Sequence, residues 1–149
     1  MSFQHILVPV DGSEISLAAV KQAAIFAKAF DSKLTIISIV VEDPFRDSDF
    51  YYSAGSAIMK EYFIEAFANA QKALATAQNI CAEYGVGAEI KTVKGEVSVG
   101  TLIQIAEESK TDLIVMGSHG RKGFQKVLLG SFAQDVLGST LIPVMIVKQ

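Results

Sequence analysis

The chain has 149 residues, half of them hydrophobic, one cysteine and a formal net charge of −3. That size and apolar content suit one domain, residues 1–149, able to bury a core of its own. The acidic balance argues against a general nucleic-acid surface. The lone Cys81 excludes an internal disulfide and fits a reducing compartment. No apolar run approaches the roughly 20 residues of a membrane span, and polar residues flank the apolar stretch 6–10, unlike a signal peptide. The expectation is a soluble cytoplasmic protein without a membrane or nucleic-acid partner.

Residues 3–10 form a short apolar run that ends at Asp11-Gly12-Ser13, the pattern of a buried strand feeding a turn. Residues 14–30 carry Leu17, Val20, Ala24 and Ala27 at helical spacing, with Ser13 as N-cap. After the turn Asp31-Ser32-Lys33, residues 34–41 read as a second buried strand rich in β-branched side chains. A polar-aromatic loop over 42–56 carries Phe45, Phe50, Tyr51 and Tyr52. It packs against the sheet edge or walls a pocket as a lid.

A second helix is predicted over 57–84, with Met59, Phe63, Ala66, Ala70, Leu74, Ala77 and Cys81 on its inner face and Gly85 ending it. Residues 86–94 alternate apolar and polar, as an outer strand does. Residues 99–109 give a third helix and 112–116 a fourth strand. A last short helix starts near Gly130-Ser131, and 141–147 give a fifth strand. Strands alternating with helices indicate a parallel sheet covered on both faces.

The segment after the fourth strand carries the chemistry. It reads Met116-Gly117-Ser118-His119-Gly120-Arg121-Lys122-Gly123, and Gly130-Ser131 follows. Glycines let a backbone turn sharply and approach a ligand closely. A helix beginning at Gly130-Ser131 aims free N–H groups and its positive dipole end into that turn. These are the parts of a phosphate cradle. Arg121, Lys122 and Lys126 concentrate positive charge there in an otherwise acidic chain. Asp11 closes an Asp-Gly turn or serves a ligand at the end of the first strand.

Other motifs fail. No Gly-x4-Gly-Lys-Ser/Thr occurs, and Gly85-Val86-Gly87 precedes a strand instead of following one. Met116 holds the first position where a nucleophile elbow needs glycine. His5, His119 and Cys81 have no metal-ligand spacing. His5 reads as structural, His119 as a partly exposed loop residue and Cys81 as core packing. No general base or catalytic triad is evident, so no catalytic residue is assigned and hydrolysis is expected to be slow or absent.

Gly117-x2-Gly120-x9-Gly130-Ser131, the opening Ile6-Leu7-Val8-Pro9-Val10-Asp11-Gly12-Ser13 and the ending Pro143-Val144-Met145-Ile146-Val147 resemble the universal stress proteins, in order and across nearly the whole chain. The resemblance implies a Rossmann-like α/β fold, an open parallel five-stranded sheet of order 3-2-1-4-5 with helices on both faces. Ligands of such a sheet bind beyond the strand ends where the winding reverses, here between strands 1 and 4. It also implies ATP, with Mg²⁺, as the ligand.

The nucleotide residues it implies are Pro9, Val10 and Asp11 after strand 1, with Asp11 beside the adenosine. Val40, at the end of strand 2, would read adenine through its backbone. From the glycine segment come Met116, Gly117, His119, Gly120 and Arg121, then Gly130, Ser131 and Phe132. Phe132 departs from the small or β-branched residue common there, and its ring either crowds the phosphates or packs under the helix.

Strand 5 is an edge in this order, and its apolar run predicts a two-fold homodimer pairing Val144 and Ile146. Pro143 suits the start of an edge strand. The implied role is a nucleotide-binding stress-response module with a protein partner of unknown identity. A slow nucleotide hydrolase and an interaction module with a vestigial crevice are the alternatives.

Overall fold

A computed structural model describes residues 3–42, 56–120 and 129–148. The elements in chain order are β1 (His5–Pro9), α1 (Glu14–Phe30), β2 (Lys33–Val40), α2 (Ser56–Glu83), β3 (Ala88–Lys94), α3 (Val99–Glu108), β4 (Leu113–Gly117), α4 (Ser131–Ser139) and β5 (Val144–Val147). They build one five-stranded sheet of order β3-β2-β1-β4-β5, parallel at every pairing. The expected fold and strand order are both present.

Strand alternation divides the core between the two faces. Ile6 and Val8 of β1, Leu34 and Ile36 of β2, and Leu113 and Val115 of β4 pack with α1 and α2. Leu7, Ile37, Ile114 and Met116 turn the other way, toward Leu102 and Ala106 of α3 and Ala133 and Val136 of α4. α1 meets the sheet through small residues, Ala19, Ala23, Ala24 and Ala27, so its backbone lies close to the strands. Its end is closed by Asp31 in the left-handed region, at φ 54°. Gly85 does the same after α2, at φ 74°.

The inner face read for α2 holds only over its second half. Ala70, Ala73, Leu74, Ala77 and Cys81 are buried, but Phe63 and Ala66 are half-buried and Met59 is exposed. The cause is length. Twenty-eight helical residues span about 42 Å, whereas the eight-residue strand β2 spans about 26 Å. The first turns of α2 therefore outrun the sheet beyond its carboxyl end.

The strands are shorter than the apolar runs that announce them. β5 begins at Val144 instead of residue 141: Leu141 is fully exposed and Ile142 turns onto the α3/α4 side of the core. β3 begins at Ala88 instead of 86, because the left-handed Gly85 must first reverse the chain. β1 begins at His5, and Phe3 before it packs edge-on against Phe30 of α1 at 5.7 Å.

At the amino end of the sheet His5 is structural, as read. Its Nδ1 lies 2.7 Å from the Ser109 carbonyl and its Nε2 2.8 Å from the Thr35 hydroxyl. A carbonyl only accepts, so Nδ1 carries a proton and donates it to Ser109. Asp112 accepts the backbone N–H groups of Gln4 and His5, which ties the start of β1 to that of β4. Cys81 is fully buried, and burial pushes its thiol up to about 11. That is packing chemistry, since a thiol held neutral is inert.

Candidate functional site

The winding of the sheet reverses between β1 and β4, and the loops leaving these strands meet at its carboxyl end. Pro9 is the last residue of β1. Val10 carries the pairing one step further by donating its N–H to the Ile37 carbonyl at 2.8 Å, and its side chain is buried. Gly12 follows at φ 84°, a left-handed turn that glycine takes without strain.

Ser13 works twice at this corner. Its N–H and hydroxyl both donate to Asp11 Oδ1, at 2.9 and 2.5 Å. Its oxygen accepts from the Ser16 N–H at 3.3 Å as the N-cap of α1. These two bonds fix Asp11 Oδ1. The other carboxylate oxygen lies against the second loop: a Cβ on Gly120 would come within 2.8 Å of Asp11 Oδ2. Residue 120 bears no side chain because the carboxylate from across the crevice occupies that space.

Gly117 and Gly130 serve closure in different ways. A Cβ on Gly117 would sit 3.1 Å from two side-chain carbons of Ile15 and 3.3 Å from its carbonyl carbon, so glycine lets the start of α1 rest on the end of β4. A Cβ on Gly130 would meet the Ser118 carbonyl oxygen at 3.1 Å and His119 Cα at 3.2 Å. A side chain at 130 would therefore press on the loop's own backbone.

Ser118 is the residue that sequence reasoning passed over. It is 2% exposed, donates its N–H to the Val147 carbonyl at 2.9 Å, and accepts the Gly130 N–H at 2.6 Å. One peptide thereby joins β5, the end of β4 and the start of α4. The available signal was a serine directly after an apolar strand, where the last ladder bond falls. Its Oγ lies 3.2 Å from His119 Nδ1. At that burial the hydroxyl has no approach for a substrate, so the contact is not a nucleophile–base pair. His119 is half-buried beside it, as expected of a partly exposed loop residue.

The start of α4 differs from those of α1 and α3. Ser13 caps α1 and Ser98 caps α3, each accepting a first-turn N–H. Gly130 caps α4 with no side-chain bond. The orphan donors of that first turn, beginning at the exposed Ser131, have no side-chain partner at the cap. Phe132 packs away, half-buried against the α3/α4 side of the core with Leu129. Of the two outcomes expected for its ring, packing under the helix is the one found.

Met116 is buried in the core beneath the loop. Val40 ends β2 at the same edge, buried, with its carbonyl accepting the Gly95 N–H at 2.9 Å. Pro9, Val10, Asp11, Met116, Gly117, His119, Gly120, Gly130 and Ser131 thus lie at or beyond the carboxyl ends of the adjacent strands β1 and β4, with Val40 one strand away. Arg121, Lys122, Gly123, Lys126 and the aromatics Phe45, Phe50, Tyr51 and Tyr52 lie outside the described residues. Among the described residues no group of three or more His, Cys, Asp or Glu side chains is arranged to hold a metal ion.

The model of the universal stress protein family matches residues 2–148. The chain belongs to that family. It is 34% identical to universal stress protein MJ0531 of Methanocaldococcus jannaschii over 149 residues, covering 99% of this chain and 83% of that one. Among solved structures, a universal stress protein in complex with cAMP is 29% identical and aligns at a TM-score of 0.73, covering 99% of this chain and 98% of that one. The Archaeoglobus fulgidus universal stress protein in complex with dAMP aligns at 0.69 with 22% identity, covering 99% of this chain and 100% of that one. At that identity the likeness speaks for the fold.

Proposed function

We propose that this universal stress protein binds ATP in the crevice between β1 and β4 and acts as a nucleotide-dependent regulatory module. One observation carries the reading. The Asp11 carboxylate and the glycine loop close on each other across the reversal point, next to a helix start that no side chain caps. An anion fits uncapped N–H groups at a positive dipole end, and a carboxylate at the end of β1 suits a ribose hydroxyl. The related protein solved with cAMP supports an adenine nucleotide as the ligand class.

Mg²⁺ enters with the nucleotide. A single carboxylate is no metal cage, but Mg²⁺ is commonly held by one carboxylate together with substrate phosphates, and Asp11 fits that part. The adenosine end falls to Pro9, Val10, Asp11 and Val40. The phosphate end falls to Gly117, His119, Gly120, Arg121, Gly130 and Ser131. Phe132 contributes its backbone alone.

Hydrolysis is negligible, because the hydroxyl beside His119 belongs to the buried Ser118 and no described group stands as a general base. The module is a single cytoplasmic domain and forms a homodimer on β5. In β5 the carbonyls of Pro143 and Val147 accept from β4, so the alternating Val144 and Ile146 turn their backbone groups to the open edge. A second copy would pair with them. Isothermal titration with ATP in the presence of Mg²⁺ tests the reading. Saturable one-to-one binding, weakened by Asp11→Ala in a folded protein, is the expected result. Wild-type affinity in that variant would remove Asp11 from the site.

A further inference from the structure

β3 is the edge of the sheet opposite β5, and among the described residues it pairs with β2 alone. Its register sets Lys94 beside Val40, and the Val40 carbonyl accepts the Gly95 N–H. Along a strand the backbone groups of successive residues turn to opposite sides. Val93 and Gly95 therefore turn theirs to β2, and Ala88, Ile90, Thr92 and Lys94 turn theirs to the open edge. The side chains alternate as well. Ala88 and Ile90 pack on the α1/α2 side, while Glu89 and Lys91 stand exposed on the other face, 3.2 Å apart. A free strand edge is a template for another strand.

α2 runs antiparallel to this edge and holds it at two points. Gln78 donates to the Ala88 carbonyl at 3.2 Å, and Gln71 donates to the Thr92 hydroxyl at 2.8 Å. Midway between these contacts lie Ile90 on the strand and Ala75 on the helix. The flank of α2 beside the edge forms a second stripe, apart from the one that packs on the sheet. It consists of Ile64, Ala68, Gln71, Ala75, Gln78 and Ala82, all exposed. They recur at alternating steps of four and three residues, the seam spacing of paired helices. Alanine at every seventh place lets two such helices approach closely. Between Ile64 and Ala82 the charges of α2, Glu65 and Lys72, fall off the stripe.

We infer that this face, the β3 edge with the flank of α2, pairs with a second copy of this chain about a two-fold axis through Ile90. Charge decides the register. An axis through Glu89 or Lys91 sets like charges against each other, and an axis through Thr92 leaves both without a partner. The axis through Ile90 sets Glu89 against Lys91 of the copy and Lys91 against Glu89 of the copy. It also joins outward groups to outward groups: Ala88 to Thr92, Ile90 to Ile90 and Thr92 to Ala88. These are the hydrogen-bonded pairs of an antiparallel ladder. Glu89 and Lys91 form the non-hydrogen-bonded pair between them, where side chains come closest and opposite charges stabilise.

In the helix layer the same axis passes Ala75, the smallest kind of side chain on the stripe. It brings Ala68 near Ala82 of the copy and Gln71 near Gln78 of the copy. The incoming Thr92 N–H takes the Ala88 carbonyl, and the Gln78 amide it releases meets that Gln71. Strand and helix thus call for one register. The contact is isologous, so one surface serves both copies. It uses the edge opposite β5 and needs neither the nucleotide nor the β5 pair.

The test is a disulfide trap on the full chain. A non-hydrogen-bonded antiparallel pair holds its Cα atoms about 4.5 Å apart, a distance that a disulfide spans. Glu89→Cys and Lys91→Cys change exposed side chains only, and Cys81 is buried. Mixed one to one under mild oxidation, the two variants should give a covalent dimer linked from position 89 to position 91, read by mass spectrometry. Each variant alone should give little, because position 89 meets 91 and not itself. In sedimentation, wild type should reach a larger average mass than Lys91→Glu at equal concentration. An equal mixture of Lys91→Glu with Glu89→Lys should recover that mass.

No link between 89 and 91 in the mixture, or as much linkage in either variant alone, would overturn the pairing. A Lys91→Glu chain that associates as the wild type does would overturn it too. That last result is the one expected of a chain that pairs through β5 only, so the two edges are told apart.

Discussion

Gly117→Ala tests whether the end of β4 is packed as described. The new methyl carbon would lie 3.1 Å from two Ile15 side-chain carbons and 3.3 Å from the Ile15 carbonyl carbon. Ordinary carbon–carbon contact falls at about 3.5–4.0 Å, so three neighbours must retreat by a few tenths of an ångström. Ile15 is 3% exposed and lies in the first turn of α1, where it has no open space to enter. Overpacking of this kind costs about 1–3 kcal/mol. In a chain of this size that lowers the thermal midpoint by about 2–4 °C per kcal/mol. Urea unfolding should show a lower midpoint with an unchanged slope.

The decisive arm is the double variant. Ile15→Ala removes both crowded side-chain carbons, so in its background the added methyl should cost little. A coupling of about 1 kcal/mol or more is expected from the cycle of Gly117→Ala and Ile15→Ala. Additive effects, or a neutral Gly117→Ala, would refute the close approach of α1 to β4.

Gly120→Ala should act on binding and not on stability. Its methyl group displaces the Asp11 carboxylate while residue 120 itself is exposed. Titration should show ATP affinity lowered about tenfold or more, as for one lost charged hydrogen bond, and urea unfolding a change within about 0.5 kcal/mol. His5→Leu should do the reverse. It strands the buried Thr35 hydroxyl and the Ser109 carbonyl and costs about 1–3 kcal/mol with ATP binding unchanged, because His5 lies at the opposite end of the sheet; a weakened ATP affinity would contradict that separation. For Cys81 the sign runs against alkali. The folded thiol titrates at about 11 instead of its ordinary 9.0, so between these pH values only the unfolded chain releases the proton. Wild type should lose about 2 kcal/mol of stability from pH 9 to 11 that Cys81→Ala does not lose, as read by urea unfolding at each pH.

The central strands were legible because buried parallel strands are nearly continuous apolar runs bounded by turn residues, as in 34–40 between Asp31-Ser32 and Glu42. The bounds of α1 were legible because Ser13 and Asp31 are local signals, acting within a few residues. The first half of α2 was misread because helical periodicity reports which side of a helix is apolar, not where the sheet beneath it ends. Leu141 and Ile142 were drawn into β5 for a related reason: apolarity does not distinguish a strand from the exposed chain leading into it.

Strand order lies outside local pattern altogether and came through the family resemblance. At the candidate site the glycines could be found, but not what each one meets. Gly117 faces Ile15, Gly120 faces Asp11 and Gly130 faces Ser118, contacts across more than a hundred residues in the first two cases. Ser118 escaped notice because its part is played by backbone groups, which carry no residue-type signal.

The most direct measurement is to denature the purified protein, identify any released nucleotide by mass spectrometry, and titrate the refolded, nucleotide-free chain with ATP and Mg²⁺. The account predicts adenine nucleotide released as ATP, and one ATP bound per chain on titration, with binding weakened by Gly120→Ala. A folded chain that releases no nucleotide and binds none on titration would contradict it.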